Sequence, residues 1–479
     1  MQDATLAIEN FNAVLFIASL VQLAFVFAFG ACIGSLLNVL VYRLPLGLDV
    51  VTPQSRCPNC ETRLTWRENV PIVGWLMLRG RCAFCRTPIS SEYPIVETFT
   101  ALLWTLVYVV LYSDNGRFLG IPFGSLGPVW GQGGFGATWP LFIVVVVLFS
   151  CLIAVTLIDA RTFHIPMSLN LAPALVALVA HPLWALYRQN QYTHGLPRVA
   201  RGWDWAIATP GAAGWWWIGG SIGACVGLLL SNVLMSMGFI RRSFADYDQW
   251  AEAEDARQKA EQAAKAAAAL ELAANPHAPA NPDAPSADAP KVDTSNADAP
   301  EMWVMYPHAR REMIRELLFL APCIGLGMLG AAIAVKYASP WHVDPTVGDL
   351  VPHTLAPLWL NVLAGVLMGY VIGGGLVWLM RIGGTLALGK EAMGLGDVHL
   401  MAAVGACLGW VDSTMGFVGA AFVGAGWALL GVVFGGALKR HMPFGPYLAI
   451  ATVLVWFLKP LLERLMGVIG HLPGPMPLP

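Results

Sequence analysis

Apolar runs long enough to cross a bilayer dominate this chain. About 20 predominantly apolar residues make one transmembrane helix. The hydrophobic pattern predicts such spans near 13–40, 93–112, 139–158, 167–187, 215–239, 315–337, 357–380, 397–412, 415–438 and 445–468. The eighth is short and glycine-rich and reads as a partial or tilted span. The expected fold class is therefore an all-α polytopic membrane protein of about ten transmembrane helices, because a helix satisfies its own backbone inside lipid.

Polar segments interrupt this pattern at two places. One, 42–92, separates the first two spans. The other, 240–314, differs from everything around it. From Phe244 to Ala274 it is alanine-rich with mixed charges, including Glu254, Lys259, Glu261 and Lys265, which predicts a solvated helix. From Asn275 to Pro300 repeated Ala, Pro and Asp cannot bury enough apolar surface to fold, which predicts a disordered linker serving as a spacer. Arg310, Arg311 and Arg315 then return the chain to the membrane, and His308 beside them reads as a juxtamembrane surface residue. The organisation that follows is a first span (1–41), a cysteine-bearing loop (42–92), spans (93–190), an inserted pair of spans with its long loop (191–356) and further spans (357–479).

Composition narrows the class. Of 479 residues, 57% are hydrophobic and 12% charged, with a mean hydropathy of +0.61. Soluble proteins carry about 25% charged residues, so a soluble enzyme, a disordered scaffold and a secreted disulfide scaffold are excluded. A net charge of −2 argues against a nucleic-acid partner. The N-terminal stretch lacks the basic region of a cleavable signal peptide. Asp3 and Glu9 precede the first span and Arg43 follows it, so the expectation is an uncleaved first span with its N-terminus outside. Ten crossings then put 41–92, 159–166, 240–314, 381–396 and 439–444 inside, and those loops hold most of the 28 Lys and Arg. Trp215, Trp216 and Trp217 open the fifth span as an interfacial aromatic belt would.

Two Cys-x-x-Cys pairs, Cys57/Cys60 and Cys82/Cys85, stand in the first loop with 21 residues between them. Each pair offers two thiolates on a tight turn, and together they suit a tetrahedral four-cysteine zinc site. The separation is slightly longer than in the usual zinc ribbon. Two disulfides are disfavoured in a cytosolic loop. A closed site of four thiolates leaves no position for water, so the expected zinc is structural. The remaining cysteines (Cys32, Cys151, Cys225, Cys323 and Cys407) lie singly in apolar runs and read as small hydrophobes.

Ionisable residues in or at the edge of apolar spans are costly and mark functional sites by default. Asp159 ends the third span in LIDARTFHIP, and Asp397 opens the eighth in MGLGDVHL. The ten-span topology puts both at the cytosolic face, although 238 positions separate them in the chain. Two carboxylates sharing a poorly solvated site do not both ionise easily. One holds a proton while the other acts as general base on a water, the chemistry of aspartyl proteolysis. The competing structural readings are an ion pair of Asp159 with Arg161 and a helix N-cap at Asp397.

Taken in order, these segments resemble a known family, the bacterial type IV prepilin peptidases (leader peptidase/N-methyltransferases), of the GxGD type of intramembrane aspartyl protease. GACIGSLLNVLVYRLP (30–45), CPNC, NVPIVGWLMLRGRCAFC, ISSEYPIVE (89–97), LIDARTFHIP, EAMGLGDVHLMAAVGACLGW (391–410) and PFGPYLA (443–449) carry the resemblance collinearly, whereas 240–314 lies outside it. The resemblance implies a catalytic Asp159–Asp397 dyad and zinc on Cys57, Cys60, Cys82 and Cys85. It implies cleavage of prepilins or pseudopilins after a glycine at the cytosolic end of their apolar stem, in the bacterial inner membrane. It also implies S-adenosylmethionine as methyl donor if the new N-terminus is methylated, with 30–45 and 46–92 as candidate segments. Nothing in the chain reads as a soluble Rossmann-type methyltransferase.

Three departures from the family pattern stand out. Pro166-Met167 replaces a common Pro-Asp, His399 replaces a frequent Lys, and ten spans replace eight. Two extra crossings leave Asp397 on the same side as Asp159, so parity agrees with the dyad. The competing reading from another class is a polytopic transporter or assembly protein whose aspartates relay protons, which predicts paired broken helices in related halves. A weaker one makes the cysteine loop a redox module.

Overall fold

The protein is described by a computed structural model covering residues 2–52, 54–112, 117–118, 121–122, 134–191, 205–211, 214–246, parts of 249–264, 308–338, 341–343, 350–352, 355–389, 391–433 and 443–471. In chain order the helices are α1 (Gln2–Arg43), α2 (Val73–Met77), α3 (Glu92–Tyr112), α4 (Phe135–Thr162), α5 (Met167–Gln191), α6 (Trp215–Ser236), α7 (Ala309–Ala338), α8 (Leu358–Leu388), α9 (Leu395–Leu408), α10 (Trp410–Val433), α11 (Phe444–Phe457) and α12 (Lys459–Ile469). Among the described residues, strands are confined to two short antiparallel hairpins, Arg117–Phe118 with Ile121–Pro122 and Trp341–Val343 with Leu350–Pro352. The linker expected at 275–300 lies outside the described residues. Of the solvated helix expected from Phe244, helical residues are described only within 249–264.

Among the described residues, eight helices are long and apolar enough to span a membrane: α1 from Phe16, α3 to α8, and α10. With the bent pair α11–α12 taken as one span the count is nine, close to the expected ten, and two of the expected spans take a particular form. Gly409, with φ 88°, ends α9 and lets α10 start at Trp410, so the predicted eighth span is a 14-residue helix. At 1.5 Å per residue it is about 21 Å long, short of the ~30 Å hydrocarbon core. The predicted tenth span is bent by 80° between α11 and α12. Pro460 lacks the N–H and carries the ring that stop a helix continuing through Leu458. Beyond the bend, Leu461, Leu465 and Val468 alternate with Glu463 and Arg464 at helical spacing, the pattern of a helix along a bilayer surface.

The chain forms two compact units. The first comprises 1–227, 323–380 and 393–479. Its centre is built from helices that are apolar on every side, with Leu148, Phe149, Leu152 and Ile158 of α4, Leu400 and Met401 of α9, and Leu448 of α11 almost fully buried. By contrast Phe16, Phe25 and Phe29 of α1 are exposed, as on a lipid-facing helix. Glycines let the helices approach. A Cβ on Gly369 of α8 or Gly405 of α9 would strike the other's backbone, and Gly219 and Gly223 of α6 meet Leu326–Gly330 of α7 in the same way. Two buried polar pairs lie in this core: Trp104 Nε1 donates to Ser150 Oγ at 3.0 Å, and Lys459 Nζ to Asp412 Oδ2 at 3.0 Å.

The second unit comprises 228–322 and 381–392. Its buried charges are paired, as they must be in a low-dielectric setting. Arg381 Nε donates to Glu316 at 2.9 Å and its Nη1 to Glu391 at 2.5 Å, with the guanidinium over the Phe244 ring. Glu312 accepts from Arg315 Nη1 at 2.7 Å and from the Phe244 N–H at 3.1 Å.

Candidate active site and metal centre

Asp159 lies three residues from the end of α4 and is 4% exposed. The helix stops at Phe163 in the left-handed region (φ 53°), whose N–H donates to the Asp159 carbonyl at 2.9 Å. Pro166 then keeps Ile165 out of the helical region before α5 begins. Asp397 is the third residue of α9 and is 7% exposed. The N-cap of α9 is Gly394 and makes no side-chain cap bond, so Asp397 does not occupy the N-cap position. Arg161, the other structural candidate, pairs with Glu92 on the surface at 2.7 Å.

The two aspartate segments meet around Ile165. A Cβ at Gly396, beside Asp397, would lie 2.9 Å from Ile165 Cβ. A Cβ at Gly445, at the start of α11, would collide with the Asp159 carboxylate and lie 3.2 Å from Ile165 Cδ1. The Gly445 N–H hydrogen-bonds that carboxylate. Asn170 of α5 adds a tie, donating to the Gly396 carbonyl at 3.4 Å. Gly394 is different: a Cβ there would sit 3.5 Å from Asp397 Oδ2, an ordinary contact. The fold thus brings the chain segments that carry Asp159 and Asp397, and the start of α11, together at one side chain, with both aspartates buried. Met167 is exposed, and His399 is half-buried on α9.

The four cysteines converge. Their sulfurs all lie within 4.8 Å of one another, with Cys57 Sγ and Cys85 Sγ 3.8 Å apart, and this set could hold a metal ion. Two knuckles of one design bring them together. Cys57 N–H donates to the Thr62 carbonyl and Cys82 N–H to Thr87, while Glu61 and Arg86 donate back to Cys57 and Cys82. Glu61 and Arg86 both take positive φ (54° and 62°), and the bridges Arg56–Arg63 and Arg81–Pro88 flank the turns. The Thr87 hydroxyl and backbone and the Asn59 amide hold the Cys85 thiol down to about 5, which favours the thiolate a metal requires. The Thr62 hydroxyl and backbone lower Cys60 in the same direction.

Sequence reading passed over several supporting residues. Glu97, buried on α3, accepts from the Ile72 N–H at 2.6 Å and so ties the cysteine loop to the membrane helices. Gly445, Ile165 and Asn170 build the aspartate site. The repeat Arg-Cys-x-x-Cys-x-Thr, at 56–62 and 81–87, was the readable signal for Thr62 and Thr87.

Comparison with known proteins bears on these features. Residues 28–111 match the family described as Bacterial Peptidase A24 N-terminal domain, a stretch that holds all four cysteines and Glu97 and ends before Asp159. The Prepilin leader peptidase/N-methyltransferase of Myxococcus xanthus is 37% identical over 156 residues, 33% of this chain and 39% of that protein. Its namesake from Aeromonas hydrophila is 32% identical over 170 residues, 30% of this chain and 50% of that protein. The one from Burkholderia pseudomallei is 30% identical over 191 residues, covering 35% and 53%. The chain therefore spans about half the length, or less, of the relatives it matches. No solved structure matches it. Residues 28–111 thus carry a Bacterial Peptidase A24 N-terminal domain, and the chain is similar over part of its length to prepilin leader peptidase/N-methyltransferases.

Proposed function

We propose that this protein is a membrane-embedded aspartyl endopeptidase that removes the leader peptide of type IV prepilins or pseudopilins. The reading rests above all on two buried carboxylates, Asp159 and Asp397, on segments joined through Ile165. One carboxylate takes a proton from water as the oxygen attacks the scissile carbonyl carbon. The other, protonated, hydrogen-bonds the carbonyl oxygen and then supplies the proton that lets the amine leave. The Gly445 N–H orients Asp159 through its hydrogen bond. The substrate bond follows a glycine at the cytosolic end of an apolar stem, in the bacterial inner membrane. The concentration of Lys and Arg in the loops expected inside, above all 41–92 and 240–314, supports an inside position for the Asp159 and Asp397 ends of α4 and α9.

Zinc is the proposed occupant of Cys57, Cys60, Cys82 and Cys85. Tetrahedral zinc with Zn–S bonds of about 2.3 Å separates its sulfurs by about 3.8 Å, and the Cys57–Cys85 separation is 3.8 Å. Four thiolates close the site, so the metal would hold residues 42–92 folded. N-methylation of the new terminus, with S-adenosylmethionine as donor, is proposed from the relatives' names and has no assigned residues. The segment 191–356 is proposed as an insertion that leaves the aspartate site intact.

The test is incubation of membranes containing the full chain with a model prepilin, followed by mass spectrometry of the product's N-terminus. Cleavage after glycine supports the proposal, and a product one methyl group heavier adds the transferase. An uncut prepilin alongside correctly inserted protein overturns it.

A further inference from the structure

The second unit contains a cavity of about 840 Å³ beside the end of α6, within the size range of small-molecule sites. Asn232 and Ser236 of α6, Arg241 and Arg242 after it, and Arg315 of α7 line it, with Asp246 the acidic member. The local sequence builds this wall directly. Gly238 (φ 83°) ends α6 in a left-handed turn, and the Phe239 N–H donates to the Leu234 carbonyl at 3.0 Å. The chain thereby turns back and brings Arg241 and Arg242 to the cavity. Arg315 is held by Glu312, which is 2% exposed and takes both bonds from Nη1. Its Nε and Nη2 donors have no other bond among the described residues.

Charge fixes the class of ligand. Three guanidiniums against the carboxylates of Asp246 and Glu312 leave one net positive charge, the complement of a monoanion. Guanidinium forks match phosphate oxygens in geometry. Position fixes its source. Met237 and Phe239, 66% and 78% exposed, continue the apolar surface of α6 next to the arginines. Apolar side chains for acyl chains beside arginines for a phosphodiester are what a lipid at the bilayer edge requires.

We propose that this cavity binds the headgroup of an anionic phospholipid, with Arg241 and Arg242 as the principal phosphate contacts. The inference is independent of the peptidase reading, since none of these residues belongs to the aspartate site. The experiment is native mass spectrometry of the full chain in detergent, titrated with phosphatidylglycerol, phosphatidylcholine or inorganic phosphate. Retained phosphatidylglycerol is expected, with phosphatidylcholine and inorganic phosphate failing to replace it. Arg241→Ala/Arg242→Ala should weaken retention by on the order of thirtyfold, from about 1 kcal/mol per basic residue. Arg241→Lys/Arg242→Lys should restore part of it, and the exposed pair Arg67→Ala/Arg79→Ala should leave it unchanged. Equal retention of phosphatidylcholine, displacement by inorganic phosphate, or undiminished binding by the Arg241→Ala/Arg242→Ala protein would overturn the assignment.

Discussion

Gly396 and Ile165 approach so closely that a Cβ on the glycine would lie 2.9 Å from the Ile165 Cβ. That contact joins the segment bearing Asp397 to the turn just after Asp159. A branched side chain fixed by the following Pro166 has little freedom to yield. Gly396→Ala should therefore separate the two segments and destabilise the protein by about 1–3 kcal/mol, the usual cost of overpacking. Gly394→Ala should change stability far less, because its Cβ meets only an ordinary contact with Asp397. Thermal unfolding in detergent compares the two. Equal losses would contradict this account of the Gly-x-Gly-Asp segment.

Gly445 bears more directly on the proposed chemistry. Its amide hydrogen-bonds Asp159, and any Cβ there would meet the carboxylate. Gly445→Ala should lower prepilin cleavage by about a hundredfold, the order of loss for a small misplacement of a reacting group. Initial rates against wild type at equal protein level provide the check.

The cysteine site should contain one zinc per chain by elemental analysis. Cys85→Ser should abolish the metal and expose 42–92 to limited proteolysis, because a closed thiolate site contributes its binding energy to folding. Glu97→Ala, which leaves the Ile72 N–H without its acceptor, should retain the metal while costing about 1–3 kcal/mol. Loss of metal in the Glu97 variant would show that the loop and its anchor are not separable.

Lys459 and Asp412 form a pair at 3.0 Å with 6% and 2% of each residue exposed. Lys459→Met alone leaves a buried carboxylate and should destabilise by about 3–5 kcal/mol. Combining it with Asp412→Leu should recover most of that loss. A double variant as unstable as the single would mean that the pair fixes the α11–α12 bend by more than charge balance.

Much of this was legible in the sequence because membrane proteins write their elements in hydrophobicity. The long apolar helices and the four-cysteine cluster follow from length and spacing alone. The form of two spans was less legible, because a single residue shaped each apolar run. Gly409 ends the short helix expected near 397–412, and Pro460 stands at the 80° bend of the last span. The supporting residues of the aspartate site were unreadable for another reason. Ile165 and Gly445 look like ordinary apolar and turn residues until three helix ends meet. Likewise Glu97 looks like a helix-surface acid until the cysteine loop folds back onto it.

Asp159 and Asp397 are proposed to act as one unit. A cycle of Asp159→Asn, Asp397→Asn and the double variant, each inserted at wild-type level and assayed for prepilin cleavage, tests that coupling. Groups acting as a unit are strongly non-additive, so each single change should abolish cutting and the double should be no worse than either. Substantial cleavage by either single variant would contradict the dyad.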